Sequence, residues 1–267
     1  MYAVCAQVND VEVVKVPLDS QFQLQVSLIE GAVRQDPNIK IIFVCSPGNP
    51  TGTLISIEDI RRVLTLDAFK GVVVVDEAYI DFCGDDSDGS FNTASVAPWI
   101  SEFPNLIVTQ TLSKAFGLAG IRLGISIASA EVAQIFNNTK APYNISTPTS
   151  LLGRSALSPQ GIQCMSKNVN QIKQQRTILL DQFKTIKRLG KVLGTNDANF
   201  ILVQVLNGDR VADNNAALSI YKRLAEVEGV VVRFRGTEPG CLGCLRITVG
   251  TGDENKVLVQ KLNELLS

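Results

Sequence analysis

Lys114 lies in the run Thr109-Gln-Thr-Leu-Ser-Lys-Ala-Phe-Gly-Leu-Ala-Gly-Ile-Arg122. Two short runs precede it, Ser46-Pro-Gly-Asn-Pro-Thr-Gly-Thr53 and Val75-Asp-Glu-Ala-Tyr79. Together they supply an amine, an acid, an amide, a phenol, hydroxyls and a guanidinium. A lysine in a Ser/Gly-rich, otherwise apolar stretch is a candidate imine-forming amine, because desolvation disfavours its charged form and frees the lone pair. The surrounding groups are those needed to hold and activate an aldehyde carried on a phosphorylated pyridine.

A pyridine nitrogen that stays protonated needs an ionised carboxylate opposite it, and Asp76 at the end of an apolar run suits that place. Asn49 and Tyr79 offer an N–H and an O–H to a ring phenolate oxygen. Thr111, Ser113 and Arg122 offer hydroxyls and a cation to a phosphate, near an expected helix start. Lys114, once an incoming amine displaces it, can carry a proton. Each residue also has a plainer reading: Asp76 as a strand-end cap, Tyr79 as a half-buried core aromatic, Arg122 as a surface ion-pair partner, and 49–52 as a turn. Gly48-Asn-Pro-Thr-Gly52 is not a nucleotide loop, since no Gly-Lys-Ser/Thr follows. The joint occurrence of all three runs, in this order, favours the chemical reading.

These groups need elements to position them. Ile41-Ile-Phe-Val-Cys45, Val72-Val-Val-Val75, Leu106-Ile-Val108 and Leu123-Gly-Ile-Ser-Ile-Ala128 read as fully buried strands. Segments 56–69 and 130–138 read as helices between or beside them. The pattern implies a three-layer α/β/α unit with a mostly parallel sheet, spanning residues 1–160. The three chemical runs fall beyond the carboxyl ends of its strands, where such sheets bind ligands. Residues 161–267 read as a long linking helix and a small C-terminal α+β domain: strand 200–205, helix 211–227, strands 230–233 and 245–249, helix 253–266. Tyr2 to Pro17 reads as strand alternation beginning at once, as if the front of the first domain were missing.

Composition narrows the chemistry. The chain has 267 residues, 45% hydrophobic and 19% charged, with a net charge of −1, which gives no global pull toward nucleic acid or anionic membrane. It contains no histidine, so histidine triads, His-ligated metals and imidazole proton shuttles are excluded. Six cysteines in a chain of this size read as reduced thiols of a cytoplasmic protein. Cys241-Leu-Gly-Cys244 has zinc or redox spacing but no second pair, and no metal site is expected. The acidic run Gly84-Asp-Asp-Ser-Asp-Gly89 fails the spacing of a calcium loop and reads as a solvated turn. No stretch is long and apolar enough for a membrane span.

The runs also carry a resemblance. Ser46 to Gly52, Val73-Val-Val-Asp-Glu-Ala-Tyr-Ile-Asp-Phe82 and Thr111 to Gly124 are similar to fold-type I aminotransferases of class I and II. Lys140-Ala-Pro-Tyr-Asn-Ile-Ser146, Ala198-Asn-Phe200, Val231-Val-Arg-Phe-Arg-Gly236 and Gly243 to Thr251 extend the match over essentially the whole chain. The last two of these runs resemble the histidinol-phosphate branch of fungal type. The resemblance implies pyridoxal 5'-phosphate, with Lys114 as the covalent lysine, Asp76 facing the pyridinium, Asn49 and Tyr79 on the phenolate oxygen, and Ser113 and Arg122 on the phosphate. It implies that Arg233 and Arg246 bind substrate, with Asn144 and Asn199 nearby; a structural role for Asn199 is equally open. The implied reaction is transamination of L-histidinol phosphate with 2-oxoglutarate, giving imidazole-acetol phosphate and L-glutamate in histidine biosynthesis, by a homodimer when full length. Aromatic amino-acid aminotransferase, a threonine-phosphate decarboxylase relative, and an inactive truncated chain are the alternatives. Relatives carry an N-terminal arm, a Gly-rich segment and a ring-stacking aromatic ahead of this chain's start, so the resemblance does not make Tyr2 that aromatic.

Overall fold

Val72-Val-Val-Val75, apolar on both faces, belongs to the second strand of a four-stranded sheet in the computed structural model, which describes residues 2–84 and 94–267. The sheet runs β1 (Ile41–Cys45), β2 (Val72–Asp76), β3 (Leu106–Thr111), β4 (Gly124–Ala128). The first three strands are parallel and β4 is antiparallel to β3. Register aligns Cys45 with Asp76 and Asp76 with Thr109, so the three carboxyl ends finish level. The loops bearing Asn49, Tyr79 and Lys114 therefore leave from one edge of the sheet.

Helices α2 (Val26–Gln35) and α3 (Ile57–Leu64) cover one face. Ser56 caps α3 by accepting the backbone N–H of Asp59, satisfying one orphan donor of the first turn. Ile60 and Val63 are then buried against Val73, Val75, Leu106 and Val108, each worth about 1.5–3 kcal/mol of transfer from water. The second face is thinner. It carries α1 (Tyr2–Val8), whose Tyr2 ring stacks on Phe43 with centroids 4.1 Å apart.

That helix corrects the expectation of a strand from Tyr2 onward. The alternating valines Val11, Val13 and Val14 are exposed, and residues 11–17 join no strand. A strand must find a ladder partner for its backbone groups, whereas a helix satisfies its own.

Helices α4 (Ala130–Thr139) and α5 (Thr147–Ala156), with the segment between them, leave Ile135, Phe136, Ile145, Leu151 and Leu152 exposed. The 25-residue α6 (Pro159–Phe183) then joins two cores. Its Met165 and Val169 pack with Tyr79, Phe82, Ala115 and Phe200. Its Leu179 and Phe183 pack into an antiparallel sheet of order β5 (Leu189–Leu193), β6 (Phe200–Val205), β8 (Cys244–Thr248), β7 (Arg233–Phe234). Helices α7 (Asn214–Glu226) and α8 (Gly252–Leu266) close this core, α8 starting with a reciprocal Thr251–Glu254 capping box.

The two parts interlock. Arg176 on α6 donates to the carbonyls of Phe82 (3.3 Å) and Ala198 (2.8 Å). The β5–β6 turn presses against the 48–54 loop: Asp197 N–H donates to the Gly52 carbonyl at 2.8 Å and Leu54 N–H to the Thr195 hydroxyl at 2.9 Å. Gly194 sits there at φ +77°, and a Cβ on it would lie 1.9 Å from the Thr51 carbonyl oxygen. Gly194→Ala is accordingly expected to lower unfolding stability by about 2 kcal/mol or more. An unchanged denaturant midpoint would refute that interlock.

Cys241 and Cys244 are free, buried thiols packed with Phe22 and Leu202. The acidic run after Gly84 lies outside the described residues. Among the described residues no helix is long and apolar enough to cross a membrane.

Candidate active site

Asp76 ends β2 with its carboxylate held from two sides. Oδ1 accepts the Ala78 N–H at 3.0 Å, and Oδ2 accepts the Tyr2 phenol at 2.5 Å. Burial, and next the bond to Asp76, push the Tyr2 hydroxyl far above the usual phenol range, so it stays a donor. The neighbouring Glu77 points elsewhere and is 2% exposed. It accepts from Ser95 (2.6 Å), the Val96 N–H (2.7 Å) and Gln110 (2.9 Å). Burial raises its pKa against those three donors. Glu77 thus fixes the strand end from which Asp76 projects.

Lys114 stands in the turn after β3, with Nζ 5.3 Å from the Tyr79 ring centroid. The lysine is exposed rather than desolvated, so the burial expected from its apolar context is not met. Thr111 donates its hydroxyl to Ser113 at 2.9 Å and receives the Ser113 N–H at 3.1 Å. This pair of hydroxyls bends the chain into the lysine turn. No α-helix starts there. Residues 119–121 form a 3-10 turn, and Arg122 ends it at φ +51° with its guanidinium on the Ala119 carbonyl. The expectation of a helix start beside Ser113 is corrected: Gly117 and Gly120 break the run before four residues can repeat one conformation.

A line of contacts crosses from this edge to the C-terminal sheet. The Tyr79 ring meets Phe200 edge-on at 5.1 Å, and the Arg246 guanidinium lies 4.8 Å over the Phe200 ring. Arg246 donates to the Asn49 side-chain oxygen at 2.6 Å. Residues distant in sequence (Asn49, Tyr79, Lys114, Phe200 and Arg246) are therefore joined in one line of contacts. Arg233 is the direct cross-strand partner of Arg246 in the β7–β8 ladder, which puts both side chains on one face. Desolvation lowers the Arg246 pKa, and the charges of Arg235 and Arg233 add to that. Its Nε is buried without a hydrogen-bond partner among the described residues. Asn199 immediately precedes Phe200 and takes the Val249 N–H on its backbone carbonyl. Asn144 lies apart, in the exposed segment between α4 and α5.

Two residues of the site escaped the sequence reading. Tyr2 reaches Asp76 across 74 positions, and no local pattern announces that bond. Arg235 was legible in principle, because Arg233-Phe-Arg235 alternates two guanidinium groups onto one side of a strand.

The donor set fits a phosphorylated pyridine aldehyde. Among the described residues no carboxylate pairs with Lys114, Arg122, Arg233 or Arg246. Lys114, Arg122 and Arg233 are exposed, but Arg246 is partly desolvated with its Nε unpartnered, which favours an anionic ligand there. The carboxylate of Asp76, fixed by two donors, suits a protonated ring nitrogen.

The amine, the acid and the amide thus sit on loops or strand ends at the carboxyl edge of the parallel strands. Residues 1–262 match the family model for aminotransferase class I and II, and this chain belongs to that family. It is 50% identical over 268 residues to the histidinol-phosphate aminotransferase of Schizosaccharomyces pombe, covering 100% of this chain and 68% of that protein. It is 44% identical over 270 residues to that of Saccharomyces cerevisiae, covering 100% of this chain and 66% of the relative. The chain thus spans about two thirds of the length of these relatives. The fold is shared with the histidinol-phosphate aminotransferase of Clostridium acetobutylicum, with a TM-score of 0.84 at 23% identity over 99% of this chain and 74% of that one. It is also shared with that of Sinorhizobium meliloti, solved in complex with pyridoxal-5'-phosphate, with a TM-score of 0.80 at 24% identity over 99% of this chain and 67% of that one.

Proposed function

We propose that this chain catalyses the pyridoxal-phosphate-dependent exchange of an amino group between L-histidinol phosphate and 2-oxoglutarate, yielding imidazole-acetol phosphate and L-glutamate, a step of histidine biosynthesis. The observation that carries the reading is the whole-chain likeness to histidinol-phosphate aminotransferases, at 50% identity for the Schizosaccharomyces pombe protein. The line of contacts joining Lys114, Tyr79, Phe200, Arg246 and Asn49 supports it.

Bound pyridoxal phosphate supplies an aldehyde carbon for the amine and an electron-withdrawing pyridinium ring. The protein's residues do the rest. Lys114 Nζ would hold the aldehyde carbon and, once displaced by the substrate amine, would move the proton from the substrate Cα to that carbon. Asp76, steadied by Tyr2 and Ala78, keeps the ring nitrogen protonated. Tyr79 and Asn49 donate to the ring oxygen, while Thr111, Ser113 and Arg122 take the cofactor phosphate. Arg246 and Arg233 grip the substrate's anion, and a guanidinium fork suits both phosphate and carboxylate. Asn199, beside Phe200, is assigned to the substrate side, whereas Asn144, in the exposed segment between α4 and α5, lies apart from these contacts. A homodimer would cover the exposed apolar residues of α4 and α5. A reducing compartment such as the cytoplasm suits the free thiols.

The test follows the absorbance of the cofactor-supplied chain in single half-reactions. Histidinol phosphate and glutamate should each convert the resting spectrum, and phenylalanine should do so at least about 10-fold less effectively, since it brings no phosphate. Equal response to phenylalanine would replace this reading with an aromatic amino-acid aminotransferase. A flat spectrum with every donor would show an inactive chain.

A further inference from the structure

Arg235 is the residue of this region that the proposed reaction leaves unused. It follows β7, and its N–H continues the ladder to the Cys244 carbonyl at 2.9 Å. Alternation places its side chain on the same side as Arg233, whose cross-strand neighbour is Arg246. Three guanidinium groups therefore crowd one face of the β7–β8 ribbon.

The frame beneath them is rigid. Asn214, at the start of α7, donates to the Gly236 carbonyl at 3.0 Å and accepts the Gly243 N–H at 2.7 Å, clamping both ends of the connecting turn. A Cβ on Gly236 would strike the Asn214 side chain at 2.0 Å, so the clamp is close-fitting. Among the described residues, neither the buried Arg235 Nε nor the buried Arg246 Nε has a hydrogen-bond partner. The acid facing Arg235 is Glu238, at 3.7 Å, beyond hydrogen-bond range and with a side chain 45% exposed. Exposed pairs of this kind contribute little and separate readily.

Like charges packed together raise the energy of the empty site, and only an anion relieves it. A carboxylate has two oxygens and is satisfied by one fork. A phosphate monoester has three terminal oxygens and close to two negative charges at neutral pH, enough to engage more than one. Three guanidinium groups against the single carboxylate of Glu238 leave two positive charges to be matched.

We propose that Arg235 is a specificity-determining residue that, with Arg233 and Arg246, receives the phosphate monoester of the amino substrate, Glu238 standing in for that phosphate until it arrives. The proposal rests on the reading above that the donor is a phosphorylated amine. It assigns the discrimination between a phosphorylated and a purely carboxylic donor to a position outside the two arginines implied by the family resemblance.

Titration calorimetry with inorganic phosphate tests it on the chain supplied with saturating pyridoxal phosphate, comparing wild type, Arg235→Gln and Glu238→Gln. Arg235→Gln should weaken phosphate binding about 10- to 100-fold, the loss expected for one charge-assisted contact. Glu238→Gln should tighten it about 3-fold or more, because the competing anion is gone. The opposite direction of that change guards against a general folding defect. In half-reactions, Arg235→Gln should raise the KM ratio of histidinol phosphate to glutamate about 10-fold or more. Phosphate affinities indistinguishable among the three proteins would overturn the proposal. A wild type that binds phosphate through Arg235 but converts no histidinol phosphate would leave this site standing and sink the reaction instead.

Discussion

Lys114→Ala is expected to abolish measurable turnover, with kcat down at least about 1,000-fold, because the same nitrogen holds the aldehyde carbon and moves the Cα proton. The substitution should be structurally mild. The lysine is exposed, and its Nζ lies 5.3 Å from the Tyr79 ring centroid. Cofactor should therefore still bind, held by the hydroxyls of Thr111 and Ser113, but wash off during gel filtration. Two measurements check this: absorbance of the protein fraction after desalting, and single-turnover rates with glutamate. Retention of a lysine-linked spectrum in the variant would assign the covalent role to another amine.

Asp76→Asn should lower kcat/KM by about 100- to 1,000-fold, the range found when a preorganised charge is removed from developing charge in a closed site. The amide is nearly the same shape. Its oxygen can still accept the Ala78 N–H that Asp76 takes at 3.0 Å, so the strand end should keep its conformation. What disappears is the negative charge that keeps a ring nitrogen protonated. Circular dichroism should be unchanged, whereas the half-reaction slows with both glutamate and histidinol phosphate. Activity within tenfold of wild type would show that this carboxylate does not face the ring.

The strands of the first sheet were legible because they are buried on both faces. Runs such as Val72 to Val75 leave no polar position to confuse their type, and their ends fell within a few residues of the observed bounds. The edge on which Asn49, Asp76 and Lys114 gather follows from parallel order and needs no further information. Other features were illegible for physical reasons. β5 is five residues containing Gly190 and Lys191, too short and too mixed to show a period. Tyr2 to Val8 looked extended because the valines that follow it alternate, yet no neighbouring strand pairs with them. The hydrogen bond from Tyr2 to Asp76 and that from Arg246 to Asn49 join positions 74 and 197 residues apart. Periodicity reports which face of an element is apolar, not which distant polar group it will meet. The exposure of Lys114 was missed in the same way, since a turn turns an apolar sequence context outward.

The guanidinium of Arg176 is shared between the carbonyl that follows the Tyr79 turn and the one beside Asn199. These two backbone points are thereby stapled to a single side chain of the long helix. The edge-on contact of Tyr79 with Phe200 is thus held from both sides, since the turn bearing one ring and the strand bearing the other are fastened to the same point of that helix.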